Sequence, residues 1–380
     1  MKIGLLTQTT IYNYGSILQA YALVRKLESL NCDVKVVSYW PRDFYDSFNR
    51  VYLPYNLGFF GNLKRAARNF LVMLHSKSIR RSRARYSEFR SRWFNFTKPC
   101  FSESDIIENA SDCDIFIVGS DCLWNPDCGI FPVYFLNFTR KIGKPSIAYG
   151  PSLSVTKMPN PEAAKEMSEL LKCVDFLSSR ESAGSRIVEK LSGRSCETVL
   201  DPTLLFDSDF WLKLVQKPKI EGDYTFVYAI HMNEGFSKLV AEARKSGREK
   251  IVLVASSMSI AYSIGADVKI LDAGPLEFLG LLFHAKKVLI SSFHGIAFSV
   301  IFKKNFAAYV SKADDSRMGE FLKNCGLGDR LVKSYEEYSK LGVPDFSKCE
   351  AYLKSARAKS ESYLRRSMET CRSKDVDAVL

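Results

Sequence analysis

Along the chain, short runs of apolar residues alternate with longer stretches in which apolar positions recur every three or four residues. The first pattern predicts buried parallel strands, the second the helices that cover them. Lys2 to Leu6 is the first run. Ser16 to Leu30 follows with apolar residues at Ile17, Leu18, Tyr21, Ala22, Leu23, Leu27 and Leu30, a helical spacing with Ser16 as its expected cap. Strands are predicted next at 34–39, 114–118 and 146–149, then a helix at 162–174, a short strand at 176–178 and a helix opening at 179–183. Asp201-Pro202 breaks regular structure. Beyond it a second alternation gives strands at 224–230, 250–255, 268–271, 287–291 and 306–309, with helices at 235–246, 275–284 and 294–303. An α/β architecture is expected: two Rossmann-like, doubly wound domains, 1–205 and 206–345, facing a cleft, and a basic helical tail, 346–380, packing back across both.

The polar clusters that punctuate this pattern fall where strands end, and in an open α/β sheet those carboxyl ends face the ligand crevice. Thr7 to Gly15, Gly119-Ser120-Asp121, Gly150-Pro151-Ser152 and Ser179-Arg180-Glu181 are all so placed, and their repetition points to a single crevice. The turn Ser292-Phe293-His294-Gly295 lies between the run Val288 to Ser291 and the helix that follows. A helix start offers N–H groups and a positive dipole end to an anion. His294, one of four histidines, sits where a proton donor would meet a phosphate or carboxylate. Simple capping of a β-to-α turn is the plainer reading of the same residues. No G-x-G-x-x-G follows the first strand, so a dinucleotide is not indicated.

Composition narrows the class. A chain of 380 residues that is 46% apolar can fill two domain cores. Its ten cysteines are scattered without a C-x-x-C pair, and the closest two, Cys122 and Cys128, have no histidine nearby, so neither a disulfide framework nor a metal site is expected. Met1-Lys2 runs straight into a strand, and no apolar run reaches the roughly 18–20 residues of a membrane span; a cytoplasmic location is expected. The net charge of +12 favours polyanions, anionic lipid or phosphorylated substrates. Much of the excess lies between Lys64 and Lys98, opposed there by Glu88 alone, with Phe70, Leu71, Met73 and Leu74 before the densest run and Tyr86, Phe89 and Trp93 after it. This basic insertion, about 55–98, suits an anionic membrane surface. A solvated helix face with its apolar side on the domain accounts for it equally. No nucleic-acid motif accompanies the charge, so nucleic acid is not expected as a partner.

Six stretches, in order along the chain, resemble the polysaccharide pyruvyl transferases: N-Y-G-S-I-L-Q-A-Y-A-L (13–23), V-G-S-D-C-L-W-N-P (118–126), S-R-E-S-A-G (179–184), V-L-D-P-T-L-L (199–205), S-S-F-H-G-I-A-F-S (291–299) and D-S-R-M (315–318). The resemblance implies a two-domain fold similar to the GT-B glycosyltransferases. It also implies phosphoenolpyruvate as donor substrate without a further cofactor, and as acceptor a sugar hydroxyl pair on a cell-surface polysaccharide or its lipid-linked precursor, joined as a pyruvate ketal. The chain departs from the family at Cys122-Leu123, commonly Gln or Gln-Val, and at Ser291, often the Asp of Asp-Ser-Phe-His-Gly.

Phosphoenolpyruvate carries about three negative charges near neutrality, so its pocket needs cations and N–H donors. Arg180 and Arg317 are the expected anion ligands, with Ser292, Phe293 and Gly295 of the turn completing the donor site. His294 is the expected general acid toward the enol C3, since an imidazole titrates near neutrality. Asp121 is the expected base for the acceptor hydroxyl, its plainer role being a turn cap. Asn13, Gln19, Trp124 and Asn125 are expected acceptor contacts, an aromatic face against C–H groups and amides on hydroxyls; for Trp124 a core anchor is an equal reading. The first domain would take the acceptor and the second the donor. The basic insertion would hold the enzyme at the inner face of the plasma membrane, beside a polyprenyl-diphosphate-linked acceptor. A GT-B glycosyltransferase using a nucleotide sugar shares the outline, and a non-catalytic scaffold is the third reading.

Overall fold

The computed structural model describes residues 1–40, 66, 69–231, 233–247, 249–310 and 315–377. The first sheet is built from β1 (Lys2–Leu6), β2 (Asp33–Val36), β3 (Ile115–Val118) and β4 (Ser146–Ala148), all parallel, in the order β2-β1-β3-β4. A short ladder of β5 (Ser178–Ser179) and β6 (Glu197–Thr198) continues beyond β4 through the bridge from Ile147 to Phe176. The second sheet contains β7 (Tyr224–Ala229), β8 (Lys250–Ala255), β9 (Val268–Ile270), β10 (Lys287–Ser291) and β11 (Asn305–Ala308), again parallel, ordered β11-β10-β7-β8-β9. β3 (I-F-I-V) and β7 (Y-T-F-V-Y-A) are buried at every position, as a strand covered on both faces must be.

Each sheet reverses its winding once, between β1 and β3 in the first and between β7 and β10 in the second. At such a switch point the two connections leave in opposite directions and open a crevice beyond the strand ends. The two crevices face each other. The helix Tyr14–Ser29 leaves β1 and stacks Tyr14 on Phe278 of the second domain, with ring centroids 4.6 Å apart, while the Tyr14 hydroxyl donates to the Ala273 carbonyl at 3.2 Å. Asn13, not the expected Ser16, caps this helix: its Oδ1 accepts from the Ser16 N–H at 3.2 Å, which places Ser16 inside the first turn.

The helix Ser76–Trp93 carries the densest part of the basic insertion and lies across the domain junction. Tyr86 and Phe89 turn inward, with Phe89 and Trp93 edge-on to Tyr21 at 5.7 and 5.3 Å. On the other side Arg81 pairs with Asp272 and Arg85 with Glu277, each at 2.9 Å, both acids belonging to the second domain. Residues 41–65, including the start of the insertion expected at about 55, lie outside the described residues. The long helix Ser347–Asp377 pairs Glu350 with Lys303 of the second domain and then runs over the first. There the Ser360 hydroxyl accepts from the Leu200 N–H at 2.9 Å, and the Tyr363 hydroxyl donates to the Ala148 carbonyl at 2.8 Å. No helix among the described residues is long and apolar enough to cross a membrane. All ten cysteines are free thiols.

Candidate active site

β10 ends at Ser291, and Ser292, in an extended conformation, turns the chain into the helix Phe293–Ile301 by accepting the Gly295 N–H on its Oγ at 3.1 Å. Gly295 has no room for a side chain, since a Cβ there would stand 2.1 Å from Ile290 Cδ1. The expected donor ligands Ser292 and Gly295 are therefore first of all the cap and the close-packing residue that set His294 in place. His294 is buried, with Nε2 3.3 Å from Oδ2 of Asp201. Its Nδ1 lies over Gly15 at the start of the Tyr14–Ser29 helix, where a Cβ would come within 2.0 Å of it. Gly15, from the first domain, thus leaves the room that the imidazole fills.

Asp201 is the hub of this arrangement. Its Oδ1 accepts from the Thr203 N–H at 3.0 Å and the Thr203 hydroxyl at 2.7 Å. Its Oδ2 accepts from Arg180 Nη1 at 2.8 Å and from the Ser120 hydroxyl at 3.4 Å. Arg180 Nε donates to Glu181 Oε1 at 3.1 Å, and the Glu181 carboxylate also accepts from the Ser152 and Ser179 hydroxyls. The side chains of Arg180 and Asp201 are 2% and 0% exposed, so neither is a surface ion. Burial alone would raise the Asp201 carboxyl, but His294 and Arg180 outweigh it and hold it well below the usual carboxylate range. Burial likewise acts to lower Arg180, yet Glu181 and Asp201 more than compensate, and it remains a cation. Arg180, the expected anion ligand, is shared between two buried carboxylates, Glu181 and Asp201. Its guanidinium face lies 4.8 Å from the Phe293 ring centroid, with Nη2 3.9 Å from Cys122 Sγ.

These groups border a cleft of about 380 Å³ into which both switch points open. Its walls come from the loop after β1 (Asn13), the turn after β3 (Asp121, Cys122), the end of β7 (His231) and the turn after β10 (Ser292, Phe293, His294), with Arg180 and Met318 alongside. Asp121 holds a left-handed φ of 86°, uncommon for a residue with a side chain, and its Oδ1 accepts the Cys122 N–H at 2.8 Å. Asn13 spends its amide oxygen on the helix cap. Arg317 belongs to the helix Asp315–Asn324, but its side chain lies outside the described residues.

Three expected acceptor contacts lie elsewhere. Trp124 is 1% exposed, stacked on Phe135 at 5.0 Å and donating its indole N–H to the Tyr134 carbonyl; it is a core anchor, because the loop after β3 folds inward over the sheet. Asn125 caps a short turn, its Oδ1 accepting the Asp127 N–H at 3.0 Å. Gln19 is fully buried. Its Nε2 donates to Thr7 Oγ1 and to the Ser16 carbonyl, both at 2.9 Å, tying the helix to the loop after β1. Asp201 is the site residue that sequence reasoning missed: the signal was present in V-L-D-P-T, but the Asp-Pro pair read as a structure breaker. Among the described residues no group of three or more His, Cys, Asp or Glu side chains converges to hold a metal ion.

Two parallel Rossmann-like sheets whose switch points share one interdomain cleft define a GT-B-like architecture. In fold the chain is similar to UDP-GlcNAc 2-epimerase from Neisseria meningitidis, at a TM-score of 0.51 and 12% identity over 97% of this chain and 100% of that one. It is also similar to the trehalose-6-phosphate phosphatase N-terminal domain from Candida albicans, at a TM-score of 0.50 and 11% identity over 97% and 96%. No curated protein matches the chain in sequence. The family model for polysaccharide pyruvyl transferase matches residues 13–312, and the chain belongs to that family. It is accordingly a transferase enzyme acting on a polysaccharide acceptor.

Proposed function

We propose that the enzyme moves the pyruvyl group of phosphoenolpyruvate onto two hydroxyls of a sugar in a cell-surface polysaccharide or its lipid-linked precursor, releasing phosphate. The observation that carries this reading is the buried Arg180–Asp201–His294 cluster at the shared switch point. Asp201 on Nε2 leaves Nδ1 as the nitrogen that exchanges a proton, the logic of a carboxylate-oriented imidazole. His294 gives its proton to C3 of the enol, C2 becomes electrophilic, and a sugar hydroxyl adds there while Asp121 takes the hydroxyl proton. A second hydroxyl then forms the second C–O bond at C2 as the C2–O bond to phosphate breaks, and its proton returns to His294 as the ketal closes. With Arg180 largely neutralised by Glu181 and Asp201, the charge of the donor is met by protonated His294, by Arg317 and by backbone N–H groups. The second domain takes the donor, and Asn13 and Asp121 of the first meet the acceptor. Release of phosphate from phosphoenolpyruvate across an array of glycosides, with mass analysis of the product, tests the reading; no turnover with any acceptor would overturn it.

One observation favours a second reading. A site whose arginine is already paired is short of cations for a small trianion, and the GT-B-like fold also suits a glycosyltransferase with a nucleotide-sugar donor. A ligand that binds the native state raises its melting temperature. Stabilisation by nucleotide sugars and not by phosphoenolpyruvate would select this alternative.

The enzyme is further proposed to work at the inner face of the membrane. Phe70, Met73 and Leu74 are 55%, 51% and 58% exposed, and Lys77, Arg80 and Arg81 follow them as exposed cations. An apolar wedge beside a basic face binds anionic lipid. Co-sedimentation with vesicles containing phosphatidylglycerol is expected, and lost in Phe70→Ser/Leu74→Ser; equal recovery in the supernatant with and without anionic lipid would refute it.

A further inference from the structure

The loop after β1 has two sides. Asn13 and its neighbours line the cleft, while Tyr12 and Tyr14 line a separate cavity of about 250 Å³. The opposite walls of this cavity are the helix Ser76–Trp93, through Ser82, Arg83 and Tyr86, and the turn after β8, through Ser256, Ser257 and Ser259. Because β8 pairs with β7, whose end borders the cleft, the cavity lies one strand further along the same sheet edge.

Its chemistry is unlike a packing defect. Ser82 donates to the Ala273 carbonyl at 2.9 Å and Ser256 to the Ala229 carbonyl at 3.0 Å, which leaves each hydroxyl oxygen able to accept. Tyr86 is 2% exposed, and among the described residues its hydroxyl has no hydrogen-bond partner. An orphaned buried hydroxyl costs free energy, and native structures carry few of them without a reason. Burial, with Tyr14 and Tyr228 nearby, pushes this phenol well up, so it stays protonated and able to donate. Tyr12 sits edge-on to Tyr86 at 5.5 Å, and the Arg83 guanidinium lies 5.1 Å from the Tyr12 ring centroid. Among the described residues Arg83 makes no ion pair.

The serine hydroxyls, the Tyr86 phenol and a guanidinium that has a ring contact but no carboxylate partner match the hydroxyl rim of a pyranose ring. The volume falls below the roughly 300–1,000 Å³ of sites for drug-sized ligands, which suits one ring and excludes a whole nucleotide sugar. We propose that this cavity is a glycan subsite that takes a neighbouring sugar ring of the acceptor while the cleft holds the sugar being modified. The inference rests on the acceptor being a glycan, as read above.

Binding without donor isolates the subsite from catalysis. Saturation-transfer NMR with maltose, cellobiose, lactose and di-N-acetylchitobiose, in the absence of phosphoenolpyruvate, is expected to show ring-proton enhancement for at least one disaccharide in the wild-type protein. Tyr86→Phe, which removes only the orphan hydroxyl, should weaken that binding about three- to tenfold, and Arg83→Ala by a similar factor. Without sugar, the melting temperature of Tyr86→Phe should equal or exceed that of wild type. Silence across the four disaccharides, or enhancement unchanged in both cavity variants, overturns the subsite. Failure of phosphate release with phosphoenolpyruvate, by contrast, overturns the pyruvyl reading and leaves a demonstrated subsite standing.

Discussion

His294 is held by Gly15 on one side and Asp201 on another, and the imidazole and each hold make a prediction. His294→Ala should lower phosphate release by about 10²–10⁴-fold, the usual contribution of a positioned acid, and, because it leaves the buried Asp201 carboxylate without one of its partners, should lower the melting temperature as well. Gly15→Ala drives a Cβ into the imidazole and should cost about 1–3 kcal/mol while lowering turnover, although Gly15 carries no chemistry itself. Asp201→Asn removes the carboxylate shared by Arg180 and His294, and breaking a buried pair costs on the order of 3 kcal/mol. The pH dependence has a definite sign. The native Asp201 carboxyl is depressed below the value of about 3.9 it has when unfolded, so its stabilisation is complete above that pH and is lost as pH falls through the native value. Melting curves of wild type and Asp201→Asn should differ at neutral pH and converge only in strong acid. His294, Asp121 and Asn13 were legible in the sequence because each lies in a segment that follows a strand; Asp201 was not, because Asp-Pro reads as a structure breaker and the partners that give it a role are 21 and 93 positions away.

At the scale of elements, the alternation of apolar runs located both sheets, since fully buried parallel strands leave a strong signal. It located less well what tertiary contacts decide. The helix Met258–Ser263 is too short to show a period, and its Ser257 cap accepts the Ile260 N–H at 3.3 Å in a stretch that reads as loop. Trp124 in a polar loop resembled a sugar platform; only the packing on Phe135 shows its role, and Trp124→Ala should cost about 3–5 kcal/mol with no selective rise in KM for the acceptor. The basic helix Ser76–Trp93 read equally as a membrane face or a packed face, and it has an exposed side and a packed one. Its bridges to Asp272 and Glu277 are partly exposed and worth little each, below about 1 kcal/mol. Arg81→Glu/Arg85→Glu should therefore leave the melting temperature nearly unchanged while loosening the junction, which faster proteolysis near residue 76 would report.

For the whole molecule, the cleft depends on two domains meeting in register, and the interface is core rather than contact. Ile17 and Leu23 of the first domain share one continuous apolar cluster with Phe278 and Phe298 of the second. The helix Ser347–Asp377 extends that union, burying Tyr363 and Leu364 against the first domain after leaving the second. This has a consequence for the order of events during synthesis. The first sheet emerges from the ribosome long before the segment that seals one side of it, so the Leu200 N–H waits for a partner 160 positions downstream, and Tyr363 joins Ser178 on the Ala148 carbonyl only at the end. A nascent first domain is consequently an incomplete folding unit, exposed to chaperones until the last long helix arrives.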